Sequence, residues 1–238
     1  SYLENQRSGV RDVNCFWIVN AISLVADEAS LRELAQQPGI KGIYLDEEQI
    51  LVHPVPASER GKAWGVDYIR AKDVKFNGEG IIVAVVDTGV DFDHSGFGQG
   101  QILVNLAKSF ISNEPTADDG HGHGTHCAGT VGSPEYGVAP GVKIIPVKVL
   151  SRYGSGSWGG VMLGVEYATK HADVLSMSLG GRANSSGNVV ERAVKNSIAS
   201  GVVNVIAAGN SGSVSPPNSI GTPGVVKEAI TVGAIDNR

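Results

Sequence analysis

The sequence predicts an α/β fold in which helices cover both faces of a parallel sheet, preceded by a small α+β unit. Beyond about residue 80, short runs of valine and isoleucine alternate with stretches of helical periodicity, a pattern typical of parallel strands joined by helical crossovers. The first residues follow a different pattern, and a polar segment with two prolines separates them from the rest. We therefore expect two domains, residues 1–57 and residues 58–238.

The first unit begins with a predicted strand and a helix. Aromatic and β-branched residues favour a strand over residues 13–22. Asp27 is a suitable N-cap for the helix that follows, in which Leu31 and Leu34 recur at helical spacing until Pro38 ends the run.

Two short strands are predicted next, over residues 40–45 and 49–52, with an acidic turn between them. Residues 53–62 are polar and contain two prolines, so they resist regular structure. We expect this segment to be an exposed linker between the two units.

The second unit contains the strands of the predicted sheet and the helices between them. Helices are expected from about residue 123, over residues 158–171 and over residues 188–200. Pro146 cannot donate a backbone hydrogen bond, which predicts that its strand is interrupted or lies near a sheet edge. The predicted strands are residues 81–86, 143–150, 173–179, 201–207 and 229–234.

Composition narrows the classes of function. Charged residues make up 18% of the 238 residues and the net charge is −5, so nucleic acid is not an expected partner. No apolar run reaches the roughly 18 residues of a transmembrane helix, and no membrane partner is predicted. The first residues do not resemble a signal peptide. Cys15 and Cys127 lie far apart in the sequence, and we expect two free thiols.

Three polar residues stand where a parallel sheet places a binding site, at the carboxyl ends of its strands. Asp87 directly follows the first apolar run, Asn210 follows the fourth, and His123 opens a predicted helix after a glycine-rich loop. A carboxylate, an imidazole and an amide donor are three of the four groups that acyl transfer by a serine requires. Each residue type alone is also common in turns, so the interpretation depends on the combination.

A metal-dependent hydrolase is a competing interpretation, because the same loop contains His121, His123 and His126. These histidines are too closely spaced to form the usual pair on one helical face. Neither a cysteine pair nor a carboxylate ligand stands at a suitable spacing. No metal ligands are therefore assigned.

Five sequence blocks resemble the subtilisin-like serine proteases, the subtilases. Val85-Val-Asp-Thr-Gly-Val90 is similar to the block of the family's catalytic aspartate, which implies that role for Asp87. His123-Gly-Thr-His-Cys-Ala-Gly-Thr130 is similar to the block of the catalytic histidine, which implies that role for His123. Cys127 is a feature of the proteinase K-like members.

The other three blocks imply a cleft that binds the backbone of a peptide. Ser176-Met-Ser-Leu-Gly-Gly181 and Ala207-Ala-Gly-Asn210 resemble the two walls of the primary specificity pocket, and Asn210 would be the oxyanion donor. Gly154-Ser-Gly-Ser-Trp158 resembles the strip that adds a strand to the bound peptide. The implied substrate-binding residues are Gly154, Ser155, Gly156, Trp158, Ser178, Leu179, Gly180, Ala207, Ala208 and Gly209.

Residues 1–57 resemble the C-terminal part of a subtilase propeptide, an inhibitory domain that leaves its tail in the active-site cleft. The resemblance implies that processing occurs within residues 53–62, because a protease binds an extended backbone. The connection after residue 132 is too short to contain the calcium-binding loop of the bacterial subtilisins. The implied chemistry requires no cofactor, and no calcium site is assigned.

The family's nucleophile lies in a Gly-Thr-Ser-Met-Ala type of block, and no such block occurs here. We therefore expect a precursor fragment of a secreted serine endopeptidase, whose catalytic serine lies in a C-terminal continuation or on a second chain. Its expected partners are protein or peptide substrates and its own propeptide. The alternative is a non-catalytic peptide-binding or inhibitory protein, favoured by the missing serine but not by the intact Asp87, His123 and Asn210.

Overall fold

A six-stranded parallel sheet forms the centre of the computed structural model, which describes residues 9–51, 64–181, 187–213 and 219–235. The α-helices are Glu28–Ala35 (α1), Trp64–Tyr68 (α2), His123–Gly132 (α3), Trp158–His171 (α4) and Gly187–Ala199 (α5). The strands are Val10–Phe16 (β1), Ala21–Ala26 (β2), Glu48–Leu51 (β3), Ile82–Asp87 (β4), Lys108–Ser109 (β5), Lys143–Lys148 (β6), Ser155–Ser157 (β7), Val174–Met177 (β8), Leu179–Gly180 (β9), Val203–Ala207 (β10) and Ile230–Val232 (β11).

The large sheet has the strand order β11-β10-β8-β4-β6-β5, and its neighbouring strands are parallel. Each apolar run predicted in the second unit is a strand of this sheet, and the helices predicted from residue 123, at 158–171 and at 188–200 are α3, α4 and α5. The run at residues 173–179 is divided, however. The chain leaves the large sheet after Met177, and β9 joins a smaller sheet instead.

Helices cover both faces of the sheet, as the sequence predicts. On β4, Ala84 and Val86 are fully buried in the core that contains residues of α4 and α5. The alternate residues Val83 and Val85 face the second core, which contains Ala128 of α3. Because successive side chains of a strand point to opposite faces, one central strand supplies both cores.

Pro146 lies in an uninterrupted strand near the sheet edge, so the second form of the prediction is confirmed. Ile144 N donates to Gln101 O, and Phe110 N donates to Lys148 O, so these even-numbered residues of β6 face the β5 side. Pro146 faces the same side, and β5 pairs with β6 only at residues 147 and 148. The missing N–H of the proline therefore costs no hydrogen bond with a full-length neighbouring strand.

Residues 13–22, predicted as one strand, instead contain the turn of an antiparallel hairpin, so that prediction is wrong. Ile18 and Val19 in the turn are only 3% and 2% exposed. The Glu166 carboxylate of α4 accepts hydrogen bonds from the backbone N–H groups of Trp17 and Ile18. The apolar and aromatic character of this segment therefore reflects packing of the turn on the helices.

Helix α1 confirms the predicted cap, since the Asp27 side chain accepts a hydrogen bond from Ser30 N at 2.8 Å. The strand predicted over residues 40–45 is absent, and that segment is irregular. Its large apolar side chains are exposed, whereas a strand of a packed sheet would bury one face of the segment. The whole of the predicted linker, residues 53–62, lies outside the described residues.

Two further sequence expectations concern thiols and membranes. Cys15 and Cys127 are both free, as expected. Within the described residues, no helix combines the length and apolar character needed to cross a membrane.

The core generates a first prediction. Leu175 on β8 is fully buried, and Leu175→Ala should lower the free energy of unfolding by about 2–5 kcal/mol because it removes packed methyl groups and leaves a cavity. Urea denaturation of the whole chain measures this change. Leu45→Ala is the matched control, because Leu45 is 77% exposed and its truncation should change stability by about 0.5 kcal/mol or less. Equal losses in the two variants would contradict the assigned core.

Candidate active site

The candidate site lies at the carboxyl edge of the large sheet. Asp87 is the last residue of β4, Ser178 follows β8, and Asn210 stands three residues beyond β10. Since these three strands are parallel neighbours, their carboxyl ends meet at one edge, as the rule for open parallel sheets requires.

Two glycines bring α3 to this edge. Gly122, the residue before the helix, has φ of +96°, a left-handed conformation that glycine adopts without strain. A Cβ added to Gly124 would lie 2.0 Å from the carbonyl oxygen of Gly89, in the loop that follows β4. Only glycine permits this close approach, which carries His123 in the first turn of α3 to the end of β4.

His123 and Asp87 form a buried hydrogen-bonded pair. His123 Nδ1 lies 2.7 Å from Asp87 Oδ1, and the two side chains are only 4% and 1% exposed. The backbone N–H of Thr88 also donates to Asp87 Oδ1, at 2.7 Å. Because the carboxylate accepts the proton on Nδ1, the neutral imidazole presents Nε2 as its proton-accepting nitrogen.

Burial and the carboxylate act on the pKa of His123 in opposite directions. Burial lowers this pKa, whereas the hydrogen bond that the ring donates to Asp87 raises it and Cys127 adds a smaller effect of the same sign. The net result raises the pKa of His123 from 6.5 to about 10. The pair therefore stabilises the imidazolium, the form that a general base reaches after accepting a proton.

The three histidines of the loop do not form a metal site. Within the described residues, three or more potential ligand atoms converge only at Asp87, His123 and Cys127, where they lie within 4.8 Å of one another. The Cys127 sulfur is 3.8 Å from His123 Nδ1. Since Nδ1 and Oδ1 already form a hydrogen bond with each other, this arrangement favours proton transfer over metal binding.

In the smaller sheet, strand β3 lies between two short strands of the second unit. Glu48 and Ile50 are paired with Ser157 and Ser155 of β7, and the pairing is antiparallel. On the other side, β3 is paired with Leu179 and Gly180 of β9, again antiparallel. The result is a three-stranded sheet with a segment of the first unit at its centre.

Comparison with known proteins decides the family. The model of the subtilase family matches residues 78–238, which is more than half of the chain. This chain belongs to the subtilase family. Subtilisin DY of Bacillus licheniformis is 39% identical over 183 residues, 73% of this chain and 64% of that protein. A cuticle-degrading serine protease of Arthrobotrys oligospora is 36% identical over 225 residues, 89% of this chain and 53% of that protein.

A solved structure supports the same fold. The crystal structure of a cold adapted subtilisin-like serine proteinase aligns with a TM-score of 0.57 and 39% identity, over 66% of this chain and 56% of that chain. The subtilase described here thus spans between half and two thirds of the length of the relatives named above.

The structure brings most of the subtilase residues implied by the sequence to the same edge. Gly154 closes the turn before β7, and Gly156 cannot carry a side chain, because its Cβ would lie 2.1 Å from Val149 O. Asn210 is exposed beyond β10. Ser155 lies in β7, Ser178 separates β8 from β9, Leu179 and Gly180 form β9, Ala207 ends β10, and Ala208 and Gly209 follow it.

Trp158 is buried in this structure, in which β3 occupies the cleft, and its predicted role in lining a subsite stays a prediction. The sequence resemblance implies that it lines a subsite, but its side chain is only 1% exposed and lies in the main core with Val161 and Leu175. Ser157 caps α4 by accepting a hydrogen bond from Gly160 N, which starts the helix at Trp158 and directs the indole inward. In this structure Trp158 forms no open wall.

Sequence reasoning missed the polar residues that surround Thr88. The Lys148 ammonium is completely buried and donates to Thr88 O at 2.6 Å. The Asp119 carboxylate accepts a hydrogen bond from the Thr88 hydroxyl at 2.9 Å. The sequence did contain two signals, a lysine within an apolar strand (Lys148) and an acidic residue just before a helix (Asp119). The sequence alone does not connect either residue to Asp87.

The raised pKa of His123 generates a second prediction. In the whole chain, the imidazole should titrate near pH 10, whereas Asp87→Asn should bring its pKa to 6.5 or below, since burial persists and the carboxylate is lost. NMR of ring-labelled histidine measures both values. The exposed Asp93 is a control, because Asp93→Asn removes a charge from the loop that follows β4 and should leave the titration of His123 unchanged.

The corresponding stability effect has a defined sign. A raised pKa in the folded state contributes stability that is complete below pH 6.5 and disappears as the pH rises through about 10. The difference in unfolding free energy between the wild type and Asp87→Asn should therefore shrink over this interval. If this difference in unfolding free energy instead grew with pH, it would contradict the conclusion that Asp87 raises the pKa of His123.

Proposed function

We propose that this subtilase is the precursor form of a secreted serine endopeptidase, in which Asp87 and His123 activate a serine hydroxyl and residues 1–57 act as an inhibitory propeptide. One observation supports the proposal most strongly. The backbone carbonyl of Asp87 accepts hydrogen bonds from Val149 N and Leu150 N, just before the turn that leads into β7, and β7 and β9 already hold an extended segment between them. A proton-accepting pair beside a peptide-binding cleft is the arrangement that peptide-bond hydrolysis requires.

In the proposed reaction, the neutral form of His123 accepts the serine hydroxyl proton at Nε2 while the serine oxygen attacks the peptide carbonyl. Asp87 stabilises the resulting imidazolium, and the Asn210 amide donates a hydrogen bond to the oxyanion. The imidazolium then gives its proton to the departing amine as the C–N bond breaks. Water then attacks the resulting serine ester, with His123 again accepting a proton and returning it to the serine oxygen. The products of this step are the carboxylic acid and the free serine. This chemistry uses no cofactor.

The proposed substrates are extended segments of proteins or peptides. A substrate would take the place of β3, with its backbone paired to β7 and β9 and its side chains alternating between the two faces of the small sheet. Gly156 and Gly180 have no side chains, which lets β7 and β9 lie close to the backbone of Val149 and Thr222 while their own backbone groups remain available for pairing.

The inhibitory role of residues 1–57 is supported by three sets of contacts with the second unit. Strand β3 fills the cleft, and the Asp46 carboxylate accepts a hydrogen bond from Gly159 N, at the start of α4, at 2.9 Å. The hairpin turn is anchored by Glu166, and Arg192 donates to Val19 O at 3.1 Å. These contacts would hold the first unit in place after the linker is cut.

The serine nucleophile is proposed to lie outside these 238 residues, on a continuation or on a second chain. Ser176 lies within β8 and Ser178 directly follows it, while Ser211 begins a short 3₁₀ helix next to Asn210. None of them stands at the start of an α-helix in a Gly-Thr-Ser-Met-Ala type of block. The relatives are longer than this chain, which is consistent with the proposal.

A fluorophosphonate probe tests the proposed nucleophile, since it reacts with a serine that has an activated hydroxyl. The 238-residue chain alone should take up no label. A longer natural form of the protein that contains this chain should be labelled on a serine beyond Arg238. His123→Ala in that longer form should abolish labelling, and His121→Ala is the matched control that should retain it. Labelling of residues 1–238 alone would overturn the position of the nucleophile. No labelling of any form would favour a non-catalytic peptide-binding protein.

The inhibitory role is tested by cutting the linker in the intact chain. After limited proteolysis within residues 53–62, the first unit should remain bound on size exclusion because its docking contacts do not depend on the linker. Combining Asp46→Ala with Glu166→Ala should release it, whereas Glu28→Ala should not, since Glu28 pairs with Arg32 within α1. Release of the first unit from the unmodified chain would argue against the propeptide role.

A further inference from the structure

We propose that Asp119 is a positioning residue, which sets the geometry of the Asp87–His123 pair by holding the end of β4 and the start of α3 on one carboxylate. The catalytic importance of Asp119 rests on the proposed function. The experiment below observes the pair itself, however, so this inference and the proposed function can fail separately.

Both oxygens of the Asp119 carboxylate accept hydrogen bonds from the segments that carry the pair. Oδ1 accepts from the hydroxyl of Thr88 at 2.9 Å and from the backbone N–H groups of His121 at 2.9 Å and Gly122 at 3.0 Å. Oδ2 accepts from Thr125 twice, from its backbone N–H at 2.9 Å and from its hydroxyl at 2.6 Å. One side chain thus joins Thr88, at the end of β4, to residues 121–125, at the start of α3.

At the start of α3, Asp119 supplies the hydrogen-bond acceptor that the N-cap residue, Gly122, lacks. Gly122 is the N-cap of α3 and has no side chain to accept from the first N–H groups of the helix. Asp119 accepts from Gly122 and Thr125 instead, and its negative charge is favourable at a helix N-terminus. Burial raises the pKa of Asp119, but hydrogen bonds from Thr125, Gly122 and His121 outweigh burial and hold this pKa below its ordinary value.

At the strand, Asp119 fixes the hydroxyl of Thr88. That hydroxyl donates to Asp119 and accepts a hydrogen bond from Gly124 N at 2.9 Å. Thr88 is fully buried, and its own N–H donates to Asp87. A continuous chain of hydrogen bonds therefore connects Asp119 to Asp87 on one side and to the helix that carries His123 on the other.

This closed set of contacts constrains the 2.7 Å separation of His123 Nδ1 and Asp87 Oδ1. Without the carboxylate, the buried Thr88 hydroxyl would lose its acceptor and the first turn of α3 would lose its cap. Both ends of the pair would then be free to move relative to each other. A simple helix cap would stabilise α3 without any effect on Asp87, and this difference makes the proposal testable.

The test compares three variants of the whole chain by NMR of ring-labelled histidine and by thermal unfolding. Asp119→Asn replaces one acceptor oxygen by a donor group, and Asp119→Glu keeps the charge but displaces the carboxylate by one methylene. Both should lower the His123 pKa by about one unit, a tenfold smaller preference for the imidazolium, because the hydrogen bond to Asp87 loosens. Asp118→Asn removes the same charge from the neighbouring residue and should leave the His123 pKa unchanged.

Two results would overturn the proposal. If Asp119→Asn and Asp119→Glu lower the unfolding temperature but leave the His123 titration as in the wild type, Asp119 is only a structural cap. If Asp119→Glu retains the wild-type titration while Asp119→Asn and Asp118→Asn shift it equally, the effect is one of charge and not of position.

Thr88 variants keep the proposal open to refutation if the Asp119 variants do not fold. Thr88→Ser retains the hydroxyl and should titrate like the wild type, whereas Thr88→Val retains the shape, removes the hydroxyl and should lower the His123 pKa. Identical titration of the two Thr88 variants would contradict the proposed connection.

Discussion

The burial of the Asp87 carboxylate is the constraint on which the rest of the site depends. A buried, unpaired charge costs several kcal/mol, so the fold must bring hydrogen-bond donors to the end of β4. The N–H of Thr88 is one donor and His123 is the other. To bring His123 close enough, α3 must start directly against the loop after β4, which requires glycine at position 124. His123 is therefore part of the electrostatic solution to a buried carboxylate at the carboxyl end of β4.

A second buried ion pair lies on the other side of Thr88. Lys148 is completely buried, donates to Thr88 O and pairs with Glu114 at 3.0 Å. Burial raises the pKa of Glu114, but contacts with Arg152 and Lys148 outweigh burial, so this pKa lies below its ordinary value. The carbonyl of Thr88 is thus held by Lys148 and its hydroxyl by Asp119. Hydrogen bonds to charged groups contribute about 1.5–3 kcal/mol each, enough to fix one backbone conformation next to Asp87.

The elements that were predictable from sequence are those whose pattern is local. Apolar runs and helical periodicity predict the large sheet and its helices, and strand ends followed by Asp87 and Asn210 predict where a site would form. The errors arise where tertiary contacts decide. The turn at Ile18 has the composition of a strand because its apolar side chains pack on α4 and α5. Residues 40–45 also have the composition of a strand, but their side chains are exposed. Trp158 is apolar in either role, and only the start of α4 directs it into the core.

The hydrogen bonds that join Thr88 to Asp119 and to Lys148 were unpredictable for a related reason, since these partners lie 31 and 60 residues away in the sequence. The pairing of β3 with β7 and β9 likewise joins segments that are distant in the sequence. Strands β7 and β9 offer backbone groups to whichever extended segment lies between them, and such pairing does not depend on side-chain identity. A segment of the same chain, at high effective concentration, can therefore compete with any free peptide for these groups. Selection among occupants must come from side chains and from contacts outside the cleft, such as those of Asp46 and Glu166. An inhibitory segment and a substrate can thus share one cleft and differ in what holds them there.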